Sequence, residues 1–528
     1  MSEQHVSPAQ KPSPDDSKAP DTSASVYAVH GAEPEVQAYA MAKYSRSALS
    51  MKESLREISS QKAEKFLNTY YFQYGHRSIA DLAHVAMAME SLSILAAIAV
   101  VDEQRWDGQE RSTRYQDFRK SGYYTPDLGG NAEAVRLYRD AVSFLFAEYE
   151  DFSERMFRYL AERTPRPGDM KPDAYERTLR ARAFDISRYL LPLATNTSLG
   201  QIVNARTLES QISRLLSHTH AEVRRMGELL KSAARGAAYD VNQESLRALA
   251  EEIRSADPIL GERAAEELLK EVRVAPTLVK YAEPNPYEVE TRRELRAAAA
   301  ELMRGAELEP SAAVELLDDE PLEVELAATL LYAHCHYPYR QVRQRVEALE
   351  APRRQEIVGL GVRHRGTHDE LLREFCSGQR FRFDLLMDVG GFRDLHRHRR
   401  CIQVGQGFTD LHGYDAPEEL ADAGLDERYA AAMRHAAETS MRLRTSPIPE
   451  PQQSAQYVLP LAFRKRTLFK MDFAEAVYIC ELRTGAAGHF SYRNIAYQMY
   501  EAVARRYPAL AGYFRVTDVR EPVDLLKR

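Results

Sequence analysis

Four arginines and two histidines fall within the eight residues Arg393-Asp394-Leu395-His396-Arg397-His398-Arg399-Arg400. A guanidinium pairs phosphate or carboxylate through two parallel N–H bonds and keeps its charge at any working pH. Such a run suits an anionic ligand or a solvated basic face. The apolar stretch Leu385–Gly391 directly before it argues for the ligand, because arginines entering at a core edge need partners there. A second segment, Gln109-Glu110-Arg111-Ser112-Thr113-Arg114-Tyr115, supplies an acceptor, a hydroxyl, a cation and an aromatic ring. That set can grip a phosphate and stack a base, although alone it reads first as a surface loop. Ser112 has no general base beside it in sequence, so it reads as a phosphate ligand and not a nucleophile.

Other candidates carry less. His334-Cys335-His336 invites a metal, but neighbours on a helix point in different directions and cannot all reach one ion. The four cysteines, Cys335, Cys376, Cys401 and Cys480, are scattered with no Cys-x-x-Cys. Neither a disulfide scaffold nor a cysteine zinc site is expected, and a reducing cytoplasm is the default. Cys401 reads as a small buried residue. Trp106, the single tryptophan, reads as packing.

The elements that must position these residues come from a chain of 528 residues with net charge −7, 44% hydrophobic and 28% charged. This is globular composition with length for two to four domains. The acidic balance excludes a general polyanion binder, so no nucleic-acid partner is expected. Residues 1–25, rich in Ser, Pro, Asp and Lys, read as a disordered tail. Leu92–Val101 is the most apolar run and falls short of the ~20 residues that span a bilayer, so it reads as a buried element, with no membrane association. Mixed text occupies 26–240 and 306–528, where Arg380–Leu385 alternates with the period of a half-buried strand. Between them, 241–305 reads as a helical connector: Leu246, Leu249, Ala250 and Ile253 recur at helical spacing, Glu262–Val274 and Tyr287–Arg304 follow, and Gly305 sits as a C′ residue.

The two mixed regions repeat one order of signals. Arg77-Ser78-Ile79-Ala80-Asp81-Leu82 parallels Gly366-Thr367-His368-Asp369-Glu370-Leu371; an apolar segment and an arginine-rich polar run follow each. Arg188-Tyr-Leu-Leu-Pro192 parallels Gln456-Tyr-Val-Leu-Pro460, and a long helix ends each half. The shared order implies a tandem duplication.

These motifs resemble, twice over, the flavin-dependent thymidylate synthases of the ThyX family. That family carries Arg-His-Arg, then Ser-x-Arg-Tyr seven residues on, then Arg-x-x-Leu-Pro and a Leu-Arg helix. The first half matches with Gly75-His76-Arg77-Ser78, Ser112-Thr113-Arg114-Tyr115, Arg188 before Leu-Leu-Pro192, Asn204-Ala205-Arg206 and His220; in place of Arg-His-Arg it has Asp102-Glu103-Gln104-Arg105. The second half keeps Arg397-His398-Arg399, Glu481-Leu482-Arg483 and His489, but has Gly407-Phe408-Thr409-Asp410 and Gln456 where the family has Ser-x-Arg-Tyr and Arg.

The resemblance implies an α+β fold of two tandem ThyX-like domains joined by the helical connector. It also implies FAD-dependent reductive methylation of dUMP to dTMP, with NADPH and methylenetetrahydrofolate as co-substrates. Since family sites lie between subunits, the unlike losses imply one competent composite site per chain and one that has lapsed. Glu110, Ser112, Arg114, Arg188, Arg397 and Arg483 are then expected at the nucleotide, with Arg483 catalytic. Ser78, Asn204, Arg206, Thr367, Glu370, Arg397, His398, Arg399 and His489 are expected at the flavin. Two chains would make a pseudo-tetramer. The alternative reading is a ThyX-like flavin or nucleotide binder with another reaction or none.

Overall fold

The structure is a computed structural model and describes residues 31–43, 51–57, 60–68, 77–367 and 369–526. The tail expected over 1–25 and the Gly75-His76 pair lie outside these residues.

The first half runs β1 (His84–Ser93), α1 (Ile94–Val100), β2 (Asp107–Glu110), α2 (Ala132–Arg163), α3 (Pro172–Ser187), β3 (Asn196–Asn204), α4 (Ala205–Leu216) and α5 (Ala221–Arg235). Then come α6 (Gln243–Ala256), α7 (Pro258–Leu268) and α8 (Pro286–Leu302). The second half runs β4 (Val314–Leu316), α9 (Leu322–Tyr332), β5 (Phe381–Asp388), α10 (Val389–Leu395), β6 (Ile402–Gly405), α11 (Asp426–Thr445), β7 (Arg464–Met471), α12 (Phe473–Thr484) and α13 (Phe490–Arg506). Both sheets are antiparallel, ordered β1-β3-β2 and β4-β5-β7-β6. Setting β1, β2 and β3 against β5, β6 and β7 gives one topology twice, with β4 added at an edge.

The register makes the correspondence residue by residue. Ser93 pairs with Asn196 at the end of β1, and Asp388 pairs with Arg464 at the end of β5. Each of these end residues also starts the next helix: Ser93 Oγ accepts from Ala96 N–H at 2.9 Å, and Asp388 Oδ1 accepts from Gly391 N–H at 2.6 Å. Such caps satisfy N–H groups that a helix start leaves open. The apolar run Ile94–Val100 is therefore helix α1, buried along almost its whole length. The cap carboxylate and hydroxyl have traded places between the halves. Ser93 Oγ donates to Glu222 of α5 at 2.6 Å, whereas Asp388 accepts from Ser491 Oγ of α13.

The halves join about a local two-fold axis. Leu193 N–H donates to Leu459 C=O at 2.9 Å, and Leu461 N–H donates to Leu191 C=O at 3.0 Å. Pro192 and Pro460, the matched prolines of the two Leu-Pro motifs, form the antiparallel bridge between them. Long helices α2 and α11 pack beside this junction, with the Phe152 and Tyr429 rings 6.4 Å apart. One hydrophobic core takes residues from both halves. The duplicated α+β fold is the expected one; the core shared by the halves is an addition from the structure.

Two sequence expectations shift. The helix expected over Glu262–Val274 ends at Leu268, because the strand-like stretch after it returns to the first half, where Ala238 N–H donates to Val272 C=O at 2.8 Å. The structural counterpart of Arg77–Leu82, a 3-10 turn, is the turn Arg373–Phe375 and not Gly366–Leu371. The longer lead from Thr367 to β5, compared with that from Ser78 to β1, accounts for the slip.

Candidate functional site

The loop after β2 and the residues before β3 present the first half's cations, while α10, α12 and α13 present the second half's. Arg188 is 2% exposed; its Nη1 donates to Thr113 Oγ1 at 3.4 Å, and its Nη2 lies 3.8 Å from Asp394. Arg393 donates to the same Thr113 hydroxyl at 3.3 Å and to Glu110 at 2.5 Å. Arg114 grips Asp185 of α3 with Nε and Nη2, at 2.6 and 3.1 Å, and gives Nη1 to Tyr492 Oη at 3.0 Å. Burial pulls its guanidinium down, but the Asp185 bonds more than compensate and hold it above its ordinary range. Ser112 Oγ accepts from Arg114 N–H at 3.2 Å, fixing the turn.

Arg483 also lies against Tyr492, 5.6 Å from its ring, and donates Nε–H to His398 Nε2 at 2.8 Å. His398 Nδ1 faces Glu475 at 3.5 Å. This Glu475–His398–Arg483 chain aims one guanidinium, and burial holds His398 below its ordinary value so that it acts as a neutral acceptor. His489 caps α13 and holds the Asp185 carbonyl at 3.0 Å through Nε2. Burial pushes its imidazole far below neutrality. Arg399 lies 5.2 Å from the Trp106 ring, and burial lowers its guanidinium to about 10. Arg397 is exposed. It borders a 190 Å³ cleft with Arg399, Arg393, Trp106 and Glu110.

Nine of the residues expected from sequence thus gather at one junction: Glu110, Ser112, Arg114, Arg188, Arg397, His398, Arg399, Arg483 and His489. The other five do not join them. Asn204 caps α4 by accepting from Thr207 N–H at 2.8 Å. It lies five residues along β3 from Leu199, the partner of Glu110, or roughly 17 Å at strand spacing. Arg206 pairs with Asp81 at 3.5 Å and Glu370 at 3.2 Å, a bridge between the halves. Ser78 and Thr367 are exposed at neither element of the arginine group. Thr113, Asp185, Arg393 and Tyr492 are members that the motif reading left out. Their contacts cross up to 378 residues of sequence, so only Thr113, inside the Ser-x-Arg-Tyr segment, and Arg393, inside the basic run, carry a local signal.

Three buried guanidinium nitrogens, Arg188 Nε and Nη2 and Arg393 Nε, have no hydrogen-bond partner among the described residues. Each unpaired buried donor costs about 1–3 kcal/mol, and an anionic oxygen would satisfy it. The group therefore fits phosphate or an electron-rich carbonyl. The cleft beside it is smaller than the ~300 Å³ at which small-molecule sites begin, so it admits part of a flavin dinucleotide and not the whole.

At the matching junction the charges are inverted. Asp102 and Glu103 stand where the second half has Arg397 and His398, and they are taken up by Arg373 at 2.6 Å and Arg214 at 2.8 Å. Thr409 and Gln456 stand in place of Arg114 and Arg188. A 650 Å³ cavity opens there.

The family model described as "Thymidylate synthase complementing protein", Thy1, matches this chain twice, over residues 27–238 and 323–509. A UPF0159 protein of Chlamydia pneumoniae is 28% identical over 490 residues, covering 89% of this chain and 83% of that protein. A UPF0159 protein of Thermoplasma acidophilum is 25% identical over 500 residues, covering 88% and 90%. A Helicobacter pylori flavin dependent thymidylate synthase ThyX, solved as complexed with FAD and dUMP, aligns with 38% of this chain and 89% of its own, at 16% identity and a TM-score of 0.23.

Proposed function

The chain belongs to the Thy1 family, and on that premise we propose that it methylates dUMP reductively to dTMP at the junction of its halves, using FAD, NADPH and methylenetetrahydrofolate. The observation that carries this reading is the convergence of Arg188 and Thr113 from the first half with Arg393 and Asp394 from the second. Bound FAD would supply the redox chemistry, held against Arg397 and Arg399. Arg188 and Arg393 turn their unpaired N–H groups to the nucleotide phosphate. Arg483, aimed by His398, meets the uracil carbonyl where negative charge develops when the ring is activated. A fixed donor of that kind contributes about 3–4 kcal/mol. Asp185 and Tyr492 hold Arg114 as the wall between them. Two chains together would form a pseudo-tetramer.

A second reading, nucleotide or flavin binding without methylation, is favoured by one feature. Asp185 already occupies Arg114 bidentately, leaving that guanidinium less to offer a ligand. The two readings part on one assay. Purified protein with FAD, NADPH, methylenetetrahydrofolate and dUMP is expected to yield dTMP by mass spectrometry. Absence of dTMP with dUMP still bound would leave the second reading in place.

A further inference from the structure

Strand β7 carries three buried cations, Lys465, Arg466 and Lys470, exposed by 6%, 1% and 0%. Two have counter-charges. Arg466 Nη1 meets Asp384 at 2.9 Å, and Lys470 Nζ meets Glu325 at 2.8 Å. Lys465 lies on the opposite face of the strand and makes neither a hydrogen bond nor an ion pair among the described residues. Its Nζ rests over the Phe392 ring at 4.1 Å and the Phe408 ring at 4.7 Å. The nearest carboxylate that acts on it, Asp102, is beyond ion-pair distance and already paired with Arg373. A buried ammonium with no anion in contact is costly, and ring faces compensate only by about 0.5–2 kcal/mol.

Phe392, Phe408 and Lys465 all line the 650 Å³ cavity at the charge-inverted junction, a volume within the ~300–1,000 Å³ range of small-molecule sites. The remaining charges on its wall are accounted for. Glu103 takes Arg214, Glu288 and Glu374 flank Arg292 at 3.4 and 3.7 Å, and Arg373 takes Asp102. Arg296 is exposed at the rim. The imidazoles add no charge, since burial lowers His220 and His396 to about 4 and His334 to about 3. Buried polar atoms without a hydrogen-bond partner among the described residues include His220 Nε2, Gln406 Oε1, Thr467 Oγ1 and His396 Nε2, the last 3.8 Å from Asp102. The wall thus offers one buried positive charge without an ion pair, the exposed Arg296 at its rim, apolar rings beside the buried charge, and neutral polar groups around. Thr197 holds the position of Lys465 in the other half, so this charge has no counterpart at the arginine junction.

We propose that this cavity is a separate ligand site for an organic monocarboxylate with an aromatic body, its carboxylate on Lys465. A phosphate monoester carries about −1.5 to −2 at neutral pH and would leave buried charge unmatched, since Arg296 stands at the solvated rim, whereas a carboxylate matches the single buried ammonium.

Reductive methylation with formaldehyde and cyanoborohydride, followed by peptide mass spectrometry of the whole chain, tests this. Without competitor, Lys465 is modified. With millimolar 2-naphthoate its modification slows at least ten-fold, while equal inorganic phosphate leaves it unchanged and the labelling of exposed Lys280 does not move. Lack of modification, lack of protection, or equal protection by phosphate each overturns the proposal. A binding arm supports it: naphthoate fluorescence titrates with native protein and not with Lys465→Met of unchanged circular dichroism.

Discussion

Arg188 of the first half and Arg393 of the second donate to one hydroxyl, Thr113 Oγ1, from 3.4 and 3.3 Å. Two guanidinium groups meeting at a neutral oxygen leave buried N–H groups with no hydrogen-bond partner among the described residues. Charge-assisted bonds to a ligand phosphate are worth about 1.5–3 kcal/mol each. Arg188→Ala should therefore weaken dUMP binding by ~10–150-fold in calorimetry. Unchanged affinity would remove Arg188 from the phosphate.

Arg114 and Arg397 should separate structure from binding. Arg114 and Asp185 are buried together, with side chains 9% and 8% exposed. Removing one partner of such a pair leaves a buried charge and costs about 3–5 kcal/mol. Arg114→Ala should lower the denaturant midpoint sharply. Arg397→Ala, at an exposed position, should leave it within error and still abolish activity. Equal stability losses from the two variants would contradict their placement.

Lys465 predicts a pH signature. Burial lowers its amine from 10.5 to about 8, so the native state binds this proton less tightly than the unfolded chain. Between those values the unfolded state holds more protons, and this group's contribution to stability rises with pH. The shift corresponds to about 3 kcal/mol. Lys465→Met should thus gain stability relative to the native protein at pH 7 and lose that advantage by pH 10.5. The check is the difference between paired denaturant curves; a flat difference would refute the depressed amine.

The shared core predicts that the halves stay together without a covalent link. Tyr239 and Val241, 90% and 79% exposed, sit just before α6 and offer a chymotryptic site. After limited cleavage there, both fragments should co-elute in gel filtration and part only in denaturant. Separation under native conditions would mean the Leu193–Leu459 and Leu461–Leu191 bonds do not hold the halves.

The duplication was legible because its signals are local and ordered: the Leu-Pro motifs, the arginine run after an apolar strand, and the helix at each end. The two prolines turned out to touch, which no local pattern announces. Side chains that complete the arginine group were hidden for the same reason. Asp185 and Tyr492 reach Arg114 from 71 and 378 residues away. Strand β7, Arg464-Lys-Arg-Thr-Leu-Phe-Lys-Met471, carries four cations and is still mostly buried, because Asp384 and Glu325 arrive from β5 and α9 to pair Arg466 and Lys470. The helix expected to reach Val274 stopped at Leu268, since propensity yields where a partner strand offers backbone bonds.

The composite junction is tested most directly by the visible flavin spectrum of the protein loaded with FAD and titrated with dUMP. The spectrum should change saturably with dUMP in the native chain, and the change should vanish in both Arg188→Ala, from the first half, and Arg397→Ala, from the second. A flavin spectrum indifferent to dUMP, or a response that survives either substitution, would contradict a single site built from both halves.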